Sequence, residues 1–82
     1  MIHVDIYVPV LDRTYDFCLD DRIPVSAVIE EAAGMICQRE RWPAPRQTEA
    51  LTLSSPRLGR ALGGGETLRQ AGVSTGSRLI LC

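Results

Sequence analysis

The sequence contains no lysine and no asparagine, and all nine of its basic residues are arginine. Without a lysine, no side-chain amine is available to accept an isopeptide bond. Aromatic residues are also few, and they are not interleaved with basic ones: Tyr7, Tyr15, Phe17 and Trp42. Because the net charge is only −1, we expect no phosphate-neutralising surface, no stacking platform and hence no nucleic-acid partner.

Signals for export and for membrane insertion are missing as well. No apolar run approaches the ~20 residues that a membrane span needs. The first residues, Met1 to Asp5, lack the charged region and the apolar segment of a signal peptide. Cys18, Cys37 and Cys82 are odd in number, and their spacing fits neither a disulfide framework nor a zinc site. These features predict a cytoplasmic location with three reduced thiols and no direct membrane insertion.

Residues suited to catalysis or to ligand binding are scarce. His3 is the only histidine, and its place in an alternating pattern puts it on a solvent face. Cys82 has no neighbouring base in the sequence that would activate its thiol. The Gly63 to Gly65 run precedes no Lys-Ser or Lys-Thr pair, so we do not expect it to bind phosphate. Asp20-Asp21 is interpreted as a helix-start device rather than a metal site. We therefore predict no catalytic residue, no metal site, no cofactor and no small-molecule substrate.

The first half of the sequence predicts a hairpin followed by a helix. Apolar residues alternate through Ile2 to Val8 and again through Tyr15 to Leu19, the pattern of two half-buried antiparallel strands. A helix follows from Val25 to about Arg41, with Pro24 in its first turn. Its single apolar stripe comprises Val25, Val28, Ile29, Ala32 and Ile36. The segment Trp42-Pro43-Ala44-Pro45 then forces an extended exit, and Trp42 is expected to cover the core there.

The second half predicts short strands and turns. A third strand is expected from Ala50 to Ser54 with Leu51 and Leu53 inward, and at most a short edge strand between Pro56 and Leu62. The glycine run is interpreted as a flexible turn. A single helical turn is expected from Thr67 to Gly72, and a last apolar strand from Ser77 to Cys82.

These elements predict a single α+β domain over residues 1–82, with one main helix on one face of a mixed sheet of four to five strands. The last strand most plausibly inserts centrally and parallel to the first, which is the β-grasp topology. Ten residues are predicted to be buried: Val4, Ile6, Phe17, Val28, Ile29, Ala32, Leu51, Leu68, Leu79 and Leu81.

The ordered set of hairpin, helix stripe, Trp42-Pro43 exit and closing apolar strand resembles the ubiquitin-like domains. Within that superfamily the sequence is similar to the small YukD-like proteins and to the cytosolic N-terminal domain of the EccD-type membrane component of type VII (ESX, WXG-protein) secretion. The shared feature is a late pattern of Leu68, Ala71-Gly72-Val73, Gly76-Ser77 and Leu79. The resemblance implies a β-grasp fold and a bacterial protein that works by protein–protein interaction.

One departure from conjugating relatives bears on activity. Those proteins and the sulfur carriers need an extended C-terminal Gly-Gly that passes through a narrow channel to be adenylated, whereas this sequence ends in Ile80-Leu81-Cys82. We therefore expect no adenylation or conjugation. The positions that match ubiquitin's binding patch are Leu11, Thr52, Ile80 and Cys82, while Asp5, Tyr7 and Cys18 share the outer sheet face. Tyr7, Leu11, Thr52 and Ile80 are the predicted protein-binding residues.

The leading hypothesis is a non-catalytic ubiquitin-like interaction protein, a cytosolic accessory of type VII secretion that docks a secretion ATPase or membrane component. One alternative is a sulfur carrier or protein modifier of the same fold. Another is that these residues form the cytosolic N-terminal domain of a longer membrane secretion component.

Overall fold

A computed structural model describes residues 1–40 and 51–82. The elements in chain order are strands β1 (Ile2–Val8) and β2 (Arg13–Leu19), helix α1 (Val25–Glu40), and strands β3 (Leu53–Ser55), β4 (Arg60–Ala61) and β5 (Arg78–Leu81). The five strands form one sheet in the order β2-β1-β5-β3-β4. This mixed five-stranded sheet with one helix confirms the predicted α+β class.

The first two strands form an antiparallel hairpin whose inner face is apolar. Val4 lies opposite Phe17 and Ile6 lies opposite Tyr15, so the two alternating patterns meet on the same face. The turn between the strands is closed by a hydrogen bond from the Leu11 N–H to the Val8 carbonyl at 3.1 Å. It requires a positive φ of 49° at Asp12, a conformation that aspartate tolerates better than most residues.

The last strand lies in the centre of the sheet, as predicted. Strand β5 runs parallel to β1, with Leu79 opposite Ile6 and Ile80 opposite Tyr7, and it pairs antiparallel with β3 on its other side. Leu79 and Leu81 are both fully buried. The central parallel pairing confirms the predicted β-grasp topology.

The predicted core is confirmed at all ten positions. Each of these side chains is at most 8% exposed, and they form one continuous cluster. The inward-facing residues of the hairpin, Tyr15 and Leu19 among them, belong to the same cluster. The core therefore lies between the inner face of the sheet and the helix.

Helix α1 buries the predicted stripe and begins at Val25 as predicted, but Pro24 does not lie in its first turn. Pro24 precedes the helix, and its carbonyl accepts the N–H groups of Ala27 and Val28 at 3.0 and 3.1 Å. It therefore occupies the N-cap position rather than the first turn, where its fixed φ is still compatible. Arg41 and the Trp42-Pro43-Ala44-Pro45 exit lie outside the described residues.

The start of α1 is stabilised differently from the sequence prediction. The Asp20 carboxylate accepts the Arg22 N–H at 2.9 Å and so shapes the turn before the helix, whose first turn contains no acidic residue. The free amides of Val25 and Ser26 instead donate to the carbonyls of Glu66 and Gly64, at 2.8 and 3.1 Å. The glycine-run turn therefore caps the helix by backbone carbonyls, which compete successfully with acidic side chains for these donors.

Strand β3 is shifted toward the C-terminus relative to the prediction, and Ala50 lies outside the described residues. Leu51 and Leu53 are buried as predicted, but the strand runs only from Leu53 to Ser55. Thr52 nevertheless exchanges both backbone hydrogen bonds with Cys82, at 2.6 and 3.0 Å, so the pairing with the last strand continues beyond the strand's end. The short edge strand is confirmed as β4.

The segment from Thr67 to Gly72 forms hydrogen-bonded turns, and the Ala71 N–H donates to the Thr67 carbonyl at 3.1 Å, which corresponds to the predicted single turn of helix. Thr67 and Gln70 cap each other reciprocally, because each backbone N–H donates to the other's side chain at 3.0 Å. Gly72 then adopts a φ of +82°, which reverses the chain direction before a second helical turn can form.

Candidate protein-binding surface

The outer face of the sheet carries one row of side chains that crosses all five strands. Register pairs join Thr14 to Tyr7, Tyr7 to Ile80, Ile80 to Ser54 and Ser54 to Ala61. We call these five residues the outer row. Tyr7, Ile80 and Ser54 are half-buried and the two end residues are exposed. The predicted anchors Tyr7 and Ile80 are thus direct neighbours at the centre of this row.

The tyrosine of the outer row is held in place from the hairpin turn. Its hydroxyl donates a hydrogen bond to Asp12 Oδ1 at 2.8 Å. This bond, followed by desolvation and by the Asp12 charge, raises the pKa of the Tyr7 phenol. The positive φ at Asp12 therefore has a consequence for the surface, since it brings the acceptor to a ring that would otherwise rotate freely.

Ile80 borders a shallow depression at the β4 edge of the sheet. The depression has a volume of about 330 Å³ and is also lined by Ser54, Pro56 and Ala61. Beside it, the exposed Leu58 lies in the β3–β4 turn. An apolar side chain of a partner that contacts Ile80 would have room in this depression.

The other two predicted binding residues lie outside the outer row. Thr52 is exposed and pairs through its backbone with Cys82 at the far end of β5. Leu11 is partly buried and packs against the hydrophobic core from the hairpin turn. The structure therefore brings Tyr7 and Ile80 together and leaves Leu11 and Thr52 at separate places.

A charged row lies beside the outer row on the same face. Asp5 is opposite Asp16 on one side and Arg78 on the other. The hydrogen bond with Asp16, together with partial desolvation and the Asp16 charge, raises the pKa of Asp5, while Arg78 acts in the opposite direction. The nearby Asp16 carboxylate therefore makes Asp5 easier to protonate than an isolated aspartate.

The residues considered for chemistry lie at separate places on the sheet and the helix. His3 lies opposite Cys18 on the outer face, and both are exposed. Cys37 is half-buried on α1 and Cys82 is exposed. Within residues 1–40 and 51–82, no group of three or more His, Cys, Asp or Glu residues is arranged to hold a metal ion. No helix in these ranges has the length and apolarity to cross a bilayer.

Sequence reasoning missed a groove between β2 and the C-terminal half of α1. Tyr15 and Phe17 line it from β2, and Met35 and Ile36 line it from α1. The available signal was Met35, an apolar residue beside the predicted stripe, whose side chain is 54% exposed. Ser54 and Ala61 of the outer row were missed for another reason, since strands of two or three residues give no readable alternation.

Comparisons with known proteins agree with this architecture. Residues 2–81 match the family described as WXG100 protein secretion system (Wss), protein YukD. No sequence among the curated proteins matches the chain. Similar solved structures include Caldiarchaeum subterraneum ubiquitin, with 23% identity, a TM-score of 0.70, and coverage of 98% of this chain and 89% of that one.

Two further structures share the fold at lower identity. The ubiquitin-like domain of an Arabidopsis thaliana protein is 17% identical with a TM-score of 0.75, over 99% of this chain and 74% of that one. ATBAG1, solved in complex with HSP70, is 15% identical with a TM-score of 0.75, and the match covers all of this chain and 40% of that one. The fold is ubiquitin-like, and the chain belongs to the YukD family of WXG100 secretion system proteins.

Proposed function

We propose that this chain is a non-catalytic, cytosolic interaction protein of type VII secretion that docks a secretion ATPase or a membrane component through its outer sheet face. The observation that carries the proposal is the match of residues 2–81 to a family defined by the WXG100 secretion system. The outer row supplies the surface, because the opposite face of the sheet packs on α1 in a continuous core.

The placement of the titratable residues supports binding rather than chemistry. Enzymes hold their reacting groups together in a concave site that excludes water. His3 and Cys18 face each other on open sheet surface, and both side chains are exposed. Such a pair has no substrate pocket around it.

The geometry of the last residues supports the absence of conjugation through them. Leu79 and Leu81 are fully buried, and the Cys82 backbone is hydrogen-bonded to Thr52 in both directions. An adenylating channel needs an extended segment of residues without side chains, and these residues would have to leave the sheet to enter one. The internal glycine run is engaged as well, since the Gly64 carbonyl caps α1.

A direct test of conjugation uses mass spectrometry. Incubation of the chain through Cys82 with a ubiquitin-type activating enzyme and ATP should give neither an acyl-adenylate nor a thioester. A mass shift that corresponds to either product would show that the final residues detach from the sheet, and this part of the proposal would be wrong.

Docking through the outer row is supported by the direct register contact of Tyr7 and Ile80. Tyrosine and isoleucine are large enough to form an interface centre, and tyrosine is enriched among the residues that dominate binding energy. One similar structure, ATBAG1, was solved bound to another protein, HSP70. We carry over from it only the use of this fold in a protein complex.

The docking test is a calorimetric titration with the cytosolic part of the secretion ATPase and, separately, of the membrane component. Tyr7→Ala and Ile80→Ala should each weaken binding by about five- to thirtyfold, as expected for central interface residues. Tyr7→Phe should have an intermediate effect, because it keeps the ring and loses only the bond to Asp12. Glu31→Ala, an exposed position on α1, is the control and should bind normally.

Unchanged binding in both alanine variants would move the interface away from the outer face. The exposed surface of α1 around Gly34 would then be the next candidate. A matching loss of binding in Glu31→Ala would point to the same conclusion, since that residue is on the helix side of the molecule.

A further inference from the structure

A further pocket lies between the N-terminal half of α1 and the segments that flank β3 and β4. It has a volume of about 340 Å³, and we call it the side pocket. Its floor is formed by three apolar side chains that are at most 8% exposed: Ile29, Leu51 and Leu62. Its rim is formed by four exposed residues: Ser26, Glu30, Thr52 and Gly64. The side pocket therefore combines an apolar floor with a polar rim, as ligand sites commonly do.

Backbone hydrogen bonds hold the walls of the side pocket in place. The Ser26 N–H donates to the Gly64 carbonyl at 3.1 Å, and Thr52 exchanges both backbone hydrogen bonds with Cys82, at 2.6 and 3.0 Å. Ser26 and Glu30 are four residues apart on α1, so their side chains are neighbours on one flank of the helix. Because the rim is already positioned, a ligand would bind without the cost of ordering it.

The charge of the side pocket is negative. Glu30 is the one charged residue among those that line it in the described part of the chain. Its carboxylate takes no part in the ion pairs found in residues 1–40 and 51–82, which are Arg22–Asp20 and Arg60–Glu66. Arg60, which lies on β4 close before Leu62, is thus already paired with Glu66. The rim is therefore complementary to a cation.

A glycine lies one helical turn beyond Glu30 on the exposed surface of α1. A Cβ atom at Gly34 would meet no neighbouring atom within 4 Å, so no close contact within the described chain requires a glycine here. Glycine in the interior of a helix is nevertheless unfavourable relative to alanine. The missing side chain would allow another backbone to approach α1 closely beside the side pocket.

We infer that the side pocket binds a lysine side chain of a protein partner, whose backbone passes over α1 at Gly34. The methylene stem of the lysine packs on the apolar floor, and its ammonium group reaches the rim. There it donates hydrogen bonds to the Glu30 carboxylate and to the hydroxyls of Ser26 and Thr52. The inference does not depend on the docking surface proposed above, which lies on the outer face of the sheet.

The acceptors of the rim favour lysine over arginine. An ammonium group has three donors that rotate to meet acceptors in different directions, whereas a guanidinium group is a planar fork that matches one carboxylate. In the side pocket the acceptors come from α1 on one side and from Thr52 on the other. A second copy of the chain cannot supply this ligand, because the sequence contains no lysine.

The experiment is an NMR titration of the isotopically labelled chain with a short capped peptide of alanine and serine that has one central lysine. Backbone amide shifts should appear in residues 26–34 and at Thr52, Leu62 and Gly64, and should be absent from Arg13–Leu19. Three matched peptides have norleucine, acetyl-lysine or arginine in place of the lysine. The first two lack the positive charge and should bind about three- to tenfold more weakly, and the arginine peptide should also bind more weakly than the lysine peptide.

Two neighbouring glutamates provide a matched test of the charge. Glu30→Gln should weaken the lysine peptide about three- to tenfold and remove its advantage over the norleucine peptide. Glu31→Gln makes the same change of charge at the next residue, which does not line the pocket, and should alter binding less than twofold. Both positions are exposed on α1, so neither variant should disturb the fold. Tyr7→Ala should bind the peptide normally, which separates the side pocket from the outer row.

Gly34→Ala tests the path of the partner's backbone. It should raise the thermal unfolding midpoint by a few degrees, because alanine is the better helix former, and it should weaken the lysine peptide at least threefold. Gln38→Ala, one turn further along the exposed surface of α1, adds no bulk and should leave binding unchanged. Opposite changes of stability and binding at one residue would not arise from a loss of structure.

Several results would overturn the inference. Equal binding of the lysine and norleucine peptides, or unchanged binding in Glu30→Gln, would remove the argument from charge. Tighter binding of the arginine peptide would replace lysine as the ligand and would make a second copy, which is rich in arginine, a possible source. Amide shifts confined to Arg13–Leu19 would place the peptide away from the side pocket. Normal binding in Gly34→Ala would show that the partner's backbone does not pass over Gly34.

Discussion

Each face of the sheet carries one tyrosine, and the hydroxyl groups of the two tyrosines lie in different environments. On the outer face, the Tyr7 ring is half-buried and its hydroxyl is bonded to Asp12 at 2.8 Å. On the inner face, Tyr15 is buried, and its hydroxyl lies near the Glu40 carboxylate without a well-formed hydrogen bond to residues 1–40 and 51–82. The Tyr7 hydroxyl is thus hydrogen-bonded at the surface, whereas the Tyr15 hydroxyl is buried beside a carboxylate.

The two halves of α1 differ in the segments that lie beside them. At its N-terminal end, the amides of Val25 and Ser26 are capped by the Gly63 to Glu66 turn, which packs close against the helix. Along its C-terminal half, Met35 and Arg39 line one wall of the groove, and β2 lines the other. The Gly63 to Glu66 turn is itself held by a bidentate ion pair, in which the Arg60 guanidinium donates to both carboxylate oxygens of Glu66.

The largest expected difference between the two faces is in stability. Leu79→Ala removes a fully buried side chain from the central strand and should lower the free energy of unfolding by about 3 kcal/mol, because the core would not collapse into the cavity. Ile80→Ala, the next residue on the outer face, should change it by less than about 1 kcal/mol. Urea unfolding followed by circular dichroism measures both. Similar losses in the two variants would mean that the outer row is part of the core.

The second comparison uses the two tyrosines. Tyr15→Phe should raise the free energy of unfolding by about 1 kcal/mol, because it removes a buried hydroxyl that has no well-formed hydrogen bond to the described residues. Tyr7→Phe should lower it slightly, because the bond to Asp12 is lost. Thermal and urea unfolding of the two variants, which differ from the wild type by one oxygen each, give the signs directly. A loss of stability in Tyr15→Phe would show that this hydroxyl is hydrogen-bonded to Glu40 in solution.

Period-two alternation and a single helical stripe were sufficient to predict the topology and the ten core residues, because both signals depend on burial. The place of Tyr7 beside Ile80 followed from the same reasoning, since a parallel central strand fixes which outward residues meet. Element ends were less predictable. Pro24 was assigned to the first turn of the helix, because local preferences do not show that the carbonyls of Glu66 and Gly64 accept the amides of Val25 and Ser26.

The groove could not be predicted for a related reason. Whether Met35 is exposed, and whether Tyr15 finds a hydrogen-bond partner, depends on the distance between β2 and the end of α1. That distance is a property of packing rather than of either segment. The Asp12 contact with Tyr7 likewise depends on one positive φ angle, which a turn sequence permits but does not impose.

The smallest expected effect concerns stability at acid pH, where Glu66 and Asp5 should contribute with opposite sign. The bond with Arg60, followed by that with the Gly63 N–H, lowers the pKa of Glu66 from 4.5 to about 2. Its contribution is therefore present above pH 4.5 and is lost as the pH falls toward 2. Asp5 has a raised pKa because it faces Asp16, so protonation relieves repulsion and the fold gains stability as the pH falls through that raised pKa toward the ordinary value of 3.8. The two responses oppose each other in the wild type.

Single variants should separate these opposing responses. Glu66→Gln should make the urea midpoint less sensitive to acidification from neutral pH to about pH 3, because only the favourable protonation on the outer face remains. Asp16→Asn should make the loss of stability on acidification steeper, because the repulsion that protonation relieves is already gone. Asp20→Asn, a change at an exposed ion pair with Arg22, is the control and should leave the pH profile close to that of the wild type. If both Glu66→Gln and Asp16→Asn gave the pH profile of the wild type, neither carboxylate would couple to folding, and the electrostatic contrast between the Glu66 turn and the outer face would be wrong.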